Sequence, residues 1–109
     1  MTIYEFMSLK TDCIKTIFPS LNLIALMAAC SMLEEHGKKP SKILVPGMLY
    51  DDFSKRSTGD NKYAKVIRER HLLNAEIEID ESQKDPIVVI MAGDDTPFSK
   101  VMMYIGSIG

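Results

Sequence analysis

The sequence predicts one α+β domain: two N-terminal helices, then a small mixed sheet with short helices. Three observations predict it. Apolar residues recur at i, i+3 and i+4 over residues 2–18 and 20–35, the period of a helix face. Residues 75–79 alternate apolar and acidic, the period of a half-exposed strand. Residues 87–91 are apolar without interruption, as in a central strand covered on both faces.

The elements follow in chain order. Over 2–18 the stripe is Ile3, Phe6, Met7, Cys13, Ile14 and Ile17, broken once by Lys10. Pro19 disfavours helical geometry in Phe18 and ends this helix. Ser20 is the expected N-cap of a second helix that runs to about Glu35. Leu23, Leu26, Met27, Cys30 and Leu33 form its stripe, and Leu21, Ile24, Ala25, Ala28 and Ala29 cover most of the rest. A helix apolar nearly all round is covered on several sides, by its own domain or by a partner. Gly37 suits the position just past the helix end, and Lys38 and Lys39 suit its negative pole.

Pro40 and Ser41 read as a loop, 42–45 as a short strand, Pro46-Gly47 as a turn, and 48–55 as a short helix carrying Met48, Leu49 and Phe53. Residues 57–61 are a polar loop, and the charged segment 63–70 fits a helical turn or an extended arm. In strand 75–79, Ala75, Ile77 and Ile79 point inward while Glu76 and Glu78 point outward. A polar turn at 80–85, the strand 87–91, a loop at 93–97 and a last strand at 101–105 complete the chain.

With 109 residues, 46% hydrophobic and 26% charged, the chain is one globular domain and not a disordered segment. A net charge of −2 gives no overall basic signal for nucleic acid. The longest apolar run, residues 23–30, is too short to cross a bilayer. The first five residues lack the basic and apolar regions of a secretory leader, so the expected location is the cytoplasm. Cys13 and Cys30 are then expected as reduced core thiols. Charge is divided unevenly: residues 38–70 carry +5 and the remainder −7. In a self-assembling protein, such surfaces complement one another between subunits.

The chemistry-bearing residues are few. Asp94 and Asp95 follow a buried strand, where paired carboxylates can hold Mg²⁺ and position a phosphate; a solvated turn is the plainer reading of the pair. Gly93-Asp94-Asp95 also matches the metal turn of viral RNA polymerases, which need further motifs and a far longer chain. Asp51 and Asp52 suit a helix start. His36 and His71 lie apart from each other and from any cysteine pair, so zinc spacing is absent. Ser99-Lys100 has no accompanying motif, and no glycine-rich phosphate loop occurs. The cluster Lys62, Lys65, Arg68 and Arg70 is interspersed with acids. No catalytic residue, cofactor site or metal site is expected.

The layout of residues 21–105 resembles the axial (A) domain of the tailed-phage major capsid and encapsulin shell fold. The resemblance lies in a helix ending Leu33-Glu34-Glu35-His36-Gly37, then Lys38-Lys39-Pro40-Ser41. The strand Ile43-Leu44-Val45-Pro46 follows, and at once Leu49-Tyr50-Asp51-Asp52-Phe53. After a variable segment come the strands at 75–79 and 87–91. The family's extended loop and peripheral domain have no counterpart here, so the chain is similar to stand-alone, A-domain-only forms. That resemblance implies a capsid-like structural protein, in the cytoplasm or in a virion, that associates with copies of itself and performs no catalysis.

Two other functions stay open. One is a small metal- or ligand-binding α/β enzyme using Asp94 and Asp95. The other is an adaptor that binds another protein through a methionine-rich surface (the chain has eight Met) or through residues 2–18. The expected partners are further copies of the chain, with a protein partner as the alternative. Neither nucleic acid nor a membrane is expected.

Overall fold

A computed structural model of the chain describes residues 1–56, 66, 69–72 and 74–106. They form a small α+β domain of six strands in one mixed sheet with three helices. The order is α1 (Ile3–Met7), β1 (Ile14–Phe18), α2 (Leu23–Glu35), β2 (Pro40–Pro46), α3 (Gly47–Arg56), β3 (His71–Leu72), β4 (Ala75–Asp80), β5 (Ile87–Ala92) and β6 (Lys100–Ile105). The expected loop at 57–61 and most of the segment 63–70 lie outside the described residues.

The first expected helix is corrected. Only Ile3–Met7 is helical, closed by a reciprocal cap in which Thr2 and Glu5 satisfy each other's backbone N–H. Ser8 ends it, and Ile14–Phe18 pairs with β6 as a parallel strand. The spacing of Ile14 and Ile17 fits a helix, but Ile14, Thr16 and Ile17 are β-branched. Such side chains lose rotamer freedom in a helix and pack well on a pleated surface. The cap of α2 is also corrected, from Ser20 to Asn22. The Asn22 side-chain oxygen accepts the Ala25 N–H at 2.8 Å, and Leu21 is buried between the two polar residues.

The far end of α2 forms as expected. Gly37 takes φ +73°, the Gly37 N–H reaches the Glu34 carbonyl at 2.9 Å, and the Lys38 N–H reaches the Leu33 carbonyl at 3.3 Å. That pair of bonds turns the chain out of the helix, and only glycine enters this backbone region without strain. β2 follows at once and extends past the expected 42–45 to both prolines, with a register irregularity between Pro40 and Lys42.

The sheet order is β1-β6-β5-β2-β4-β3. β1, β6, β2 and β4 run one way; β5 and β3 oppose them. One sheet face carries Val88, Ile90, Ile43, Val45, Ala75, Ile77, Val101 and Met103, packed with Leu26, Ala29, Cys30 and Leu33 of α2 and Phe53 of α3. The small Ala25 and Ala29 let α2 approach closely, and Leu26, Cys30 and Leu33 are fully buried. Both cysteines are free thiols. Cys30 is buried in the core, whereas Cys13 is half-buried just ahead of β1 and not on a helix.

The opposite face holds a smaller cluster. Phe6 of α1 is fully buried against Ile87 and Tyr104, its ring 5.4 Å from the tyrosine ring. Lys15 reaches over the same face to donate to the Met7 carbonyl at 2.9 Å. Phe6 is therefore the anchor that holds α1 on the sheet. Phe6→Ala is expected to lower stability by about 3 kcal/mol or more in urea unfolding, a buried aromatic being removed. Amide chemical shifts of α2 should stay in place, because its core is separate.

Candidate functional site

The acidic turn singled out in the sequence joins β5 to β6. Its geometry follows from Asp94. That carboxylate accepts the Thr96 N–H at 3.0 Å, the Thr96 hydroxyl, and the Lys38 ammonium at 3.3 Å. Lys38 also donates to the Thr96 hydroxyl oxygen. Ser99 is buried and donates to the Thr96 carbonyl at 2.7 Å. Phe98 sits at φ +60°, a left-handed conformation that costs a bulky residue roughly 1–2 kcal/mol. Its N–H donates to the Asp12 carbonyl at 2.7 Å, and its ring stacks on His36 with centroids 5.6 Å apart. The turn is thus clamped from two sides, by the end of α2 and by the chain entering β1.

This geometry places Asp94 in a structural role. Hydrogen bonds from Thr96, then the Lys38 charge, hold its carboxyl below the ordinary value of 3.8. Asp95 is exposed beside it. Among the described residues, no three His, Cys, Asp or Glu stand close enough to share a metal ion. His71 is exposed on β3, paired in register with Glu76, whereas His36 stands at the end of α2 with its ring on Phe98. Arg70 is exposed, while Lys62, Lys65 and Arg68 lie outside the described residues. A shallow groove of about 500 Å³ runs beside the end of α2, between Glu34, Lys38, Lys39 and Asn74. The Cys30 thiol is pushed up to about 11 by burial, with Glu34 adding to the effect, so it is a packing group and not a nucleophile.

A second region emerges from the sheet register. On the α1 side, one row crosses five strands: Lys15, Met102, Val89, Leu44 and Glu78. The next row is Lys100, Met91, Lys42, Glu76 and His71. α1 covers the far end, over Ile17, Tyr104 and Ile87. Leu44, Met91 and Met102 remain half-buried, as does Val89 at the margin of the α1 cluster. Charges border them, with Lys42 paired to Glu78 at 3.1 Å. Sequence reasoning missed this open face because a continuous apolar run implies cover on both sides. Among the described residues, cover is complete on one side only.

The divided charge is partly satisfied within the chain. The pairs Lys38–Asp94 and Lys42–Glu78 both join the basic stretch 38–70 to the acidic remainder. Among the described residues no helix is long and apolar enough to cross a membrane. No family model, curated protein or solved structure matches the chain.

Two predictions follow from the turn. A carboxylate whose folded pKa is depressed stabilises the fold above its unfolded value, and that contribution is lost as pH falls through the folded value. Asp94→Asn should therefore flatten the fall in melting temperature below about pH 4, as read by circular dichroism. Because Asp94 is already engaged, millimolar Mg²⁺ should leave the melting temperature of the parent chain unchanged. A rise abolished by Asp94→Asn with Asp95→Asn would restore the metal-site alternative.

Proposed function

We propose that this chain is a structural, self-associating unit, similar in role to the axial domain of tailed-phage capsids and encapsulin shells. One observation carries the reading. β5 is apolar on both sides, and Val89 and Met91 on its second side stay half-exposed beside Leu44 and Met102. An apolar sheet face of this kind gains free energy when another surface covers it, at about 25 cal/mol for each Å² of apolar area removed from water. The β2–α3 unit is in keeping with the resemblance. Pro46 passes directly into α3, and Tyr50 and Phe53, with rings 6.1 Å apart, bury themselves back against the core. The unit would act in the cytoplasm or as part of a virion, without catalysis.

Light scattering after size exclusion, over a range of concentrations and at low and high salt, tests the proposal. The expected result is a mass above the 12.3 kDa of one chain that grows with concentration and survives high salt, since apolar burial is not screened. Assembly that dissolves in salt would assign the contact to the divided charge instead. A mass of one chain at every concentration would overturn self-association and turn the open face toward a different protein.

A further inference from the structure

We propose that copies of this chain associate head to tail, the outer stripe of α2 in one copy seated on the open sheet face of the next. The inference rests on the self-association reading and names its two surfaces.

The first surface is the side of α2 that the described residues of its own domain leave uncovered. Ile24, Met27, Ala28 and Ser31 lie at i, i+3, i+4 and i+7, so they share one face. Ile24 is 76% exposed and Met27 45% exposed. Glu34 and Glu35 continue the helix at its end, both exposed, and the last turn holds no basic residue. The negative pole of the helix and two carboxylates therefore coincide.

The second surface is the apolar patch of Met102, Val89 and Leu44, with Met91 one step along β5. Lys42 and Lys100 flank Met91 on either side. Lys100 has no ion-pair partner among the described residues, and Lys42 is shared with Glu78. The patch spans two strand spacings, about 10 Å, and one two-residue step, about 7 Å. The stripe from Ile24 to Ser31 is about 10 Å long.

Size, polarity and charge agree. With its C-terminal end toward Met91, α2 sets its apolar stripe over Val89 and brings Glu34 and Glu35 to Lys42 and Lys100. α2 packs on the opposite face of its own sheet, so one copy cannot join its own two surfaces. A second copy can, and the contact gives each sheet a helix layer on both faces. Because the two surfaces differ, each copy offers both, and the contact repeats into a ring or a filament.

The test uses two blocked variants of the full chain. Ile24→Lys with Met27→Lys blocks the helix stripe at exposed positions. Leu44→Glu with Val89→Lys blocks the sheet face with an opposite-charge pair across adjacent strands, which the sheet tolerates. Circular dichroism checks that each folds. Each variant alone is expected as a monomer by light scattering, and their equimolar mixture as a complex of twice the monomer mass, since each supplies the surface the other lacks. In the parent chain, Lys100→Glu should weaken association several-fold, and adding Glu35→Lys, which leaves Glu34 for Lys42, should recover part of the loss. This charge reversal keeps the proposal testable if the sheet variant fails to fold.

A monomeric parent overturns self-association and this contact together. A parent that assembles while either folded variant assembles equally overturns these surfaces and leaves self-association standing. Monomeric variants whose mixture stays monomeric overturn the head-to-tail arrangement, and a variant that still pairs through its one intact surface points to a contact between like surfaces.

Discussion

The seating of α2 on the sheet is the interaction on which the rest depends. The helix touches β1, β2, β5 and β6, so it spans the strands that the chain order keeps furthest apart. Ala25 and Ala29 set the distance, while Leu26, Cys30 and Leu33 fill it. Each large apolar side chain so buried is worth about 1.5–3 kcal/mol. Without α2, β1 would keep only its ladder with β6 and the small α1 cluster at Ile17, and a parallel pair of this length is not stable alone.

That seating also decides where chemistry and binding fall. The turn out of α2 at Gly37 carries Lys38 and His36 beside the β5–β6 turn, where they meet Asp94 and Phe98. The carboxylate is spent on shape. With both helices of the main core on one side, the other side is left, among the described residues, to the short α1, which covers only the end nearest Ile87. The open remainder and the uncovered side of α2 point away from each other. Two unlike apolar surfaces on opposite sides of a small domain suit a repeating contact better than a closed pair.

Much of this was legible in the sequence where a single period governed the residues. The alternation of Ala75, Glu76, Ile77 and Glu78 gave β4 its inward and outward sides, and Gly37 marked the end of α2. β1 was not legible, because Ile14 and Ile17 share a helix face but fall on opposite faces of the strand, each in a different cluster, and their β-branching decided for the strand. β3 is two residues long and carries no pattern. The cap slipped from Ser20 to Asn22 because both are good caps and the burial of Leu21 chose between them. At the acidic turn, Asp94 and Asp95 stood out by type. The partner Lys38 lies 56 residues away and is brought in only by the fold. The open face was hidden by its own apolar run, since the sequence says that both sides of β5 want cover and not whether this chain provides it.

Methionine methyl groups offer the most direct measurement, because Met27 lies on the helix stripe, Met91 and Met102 on the sheet face, and Met48 on α3, in neither surface. Their NMR signals would be followed with a soluble paramagnetic agent as the protein concentration rises. Head-to-tail association protects Met27, Met91 and Met102 together while Met48, 54% exposed in one copy, stays accessible. Unchanged exposure of all four, or protection of Met48 without Met27, would contradict it.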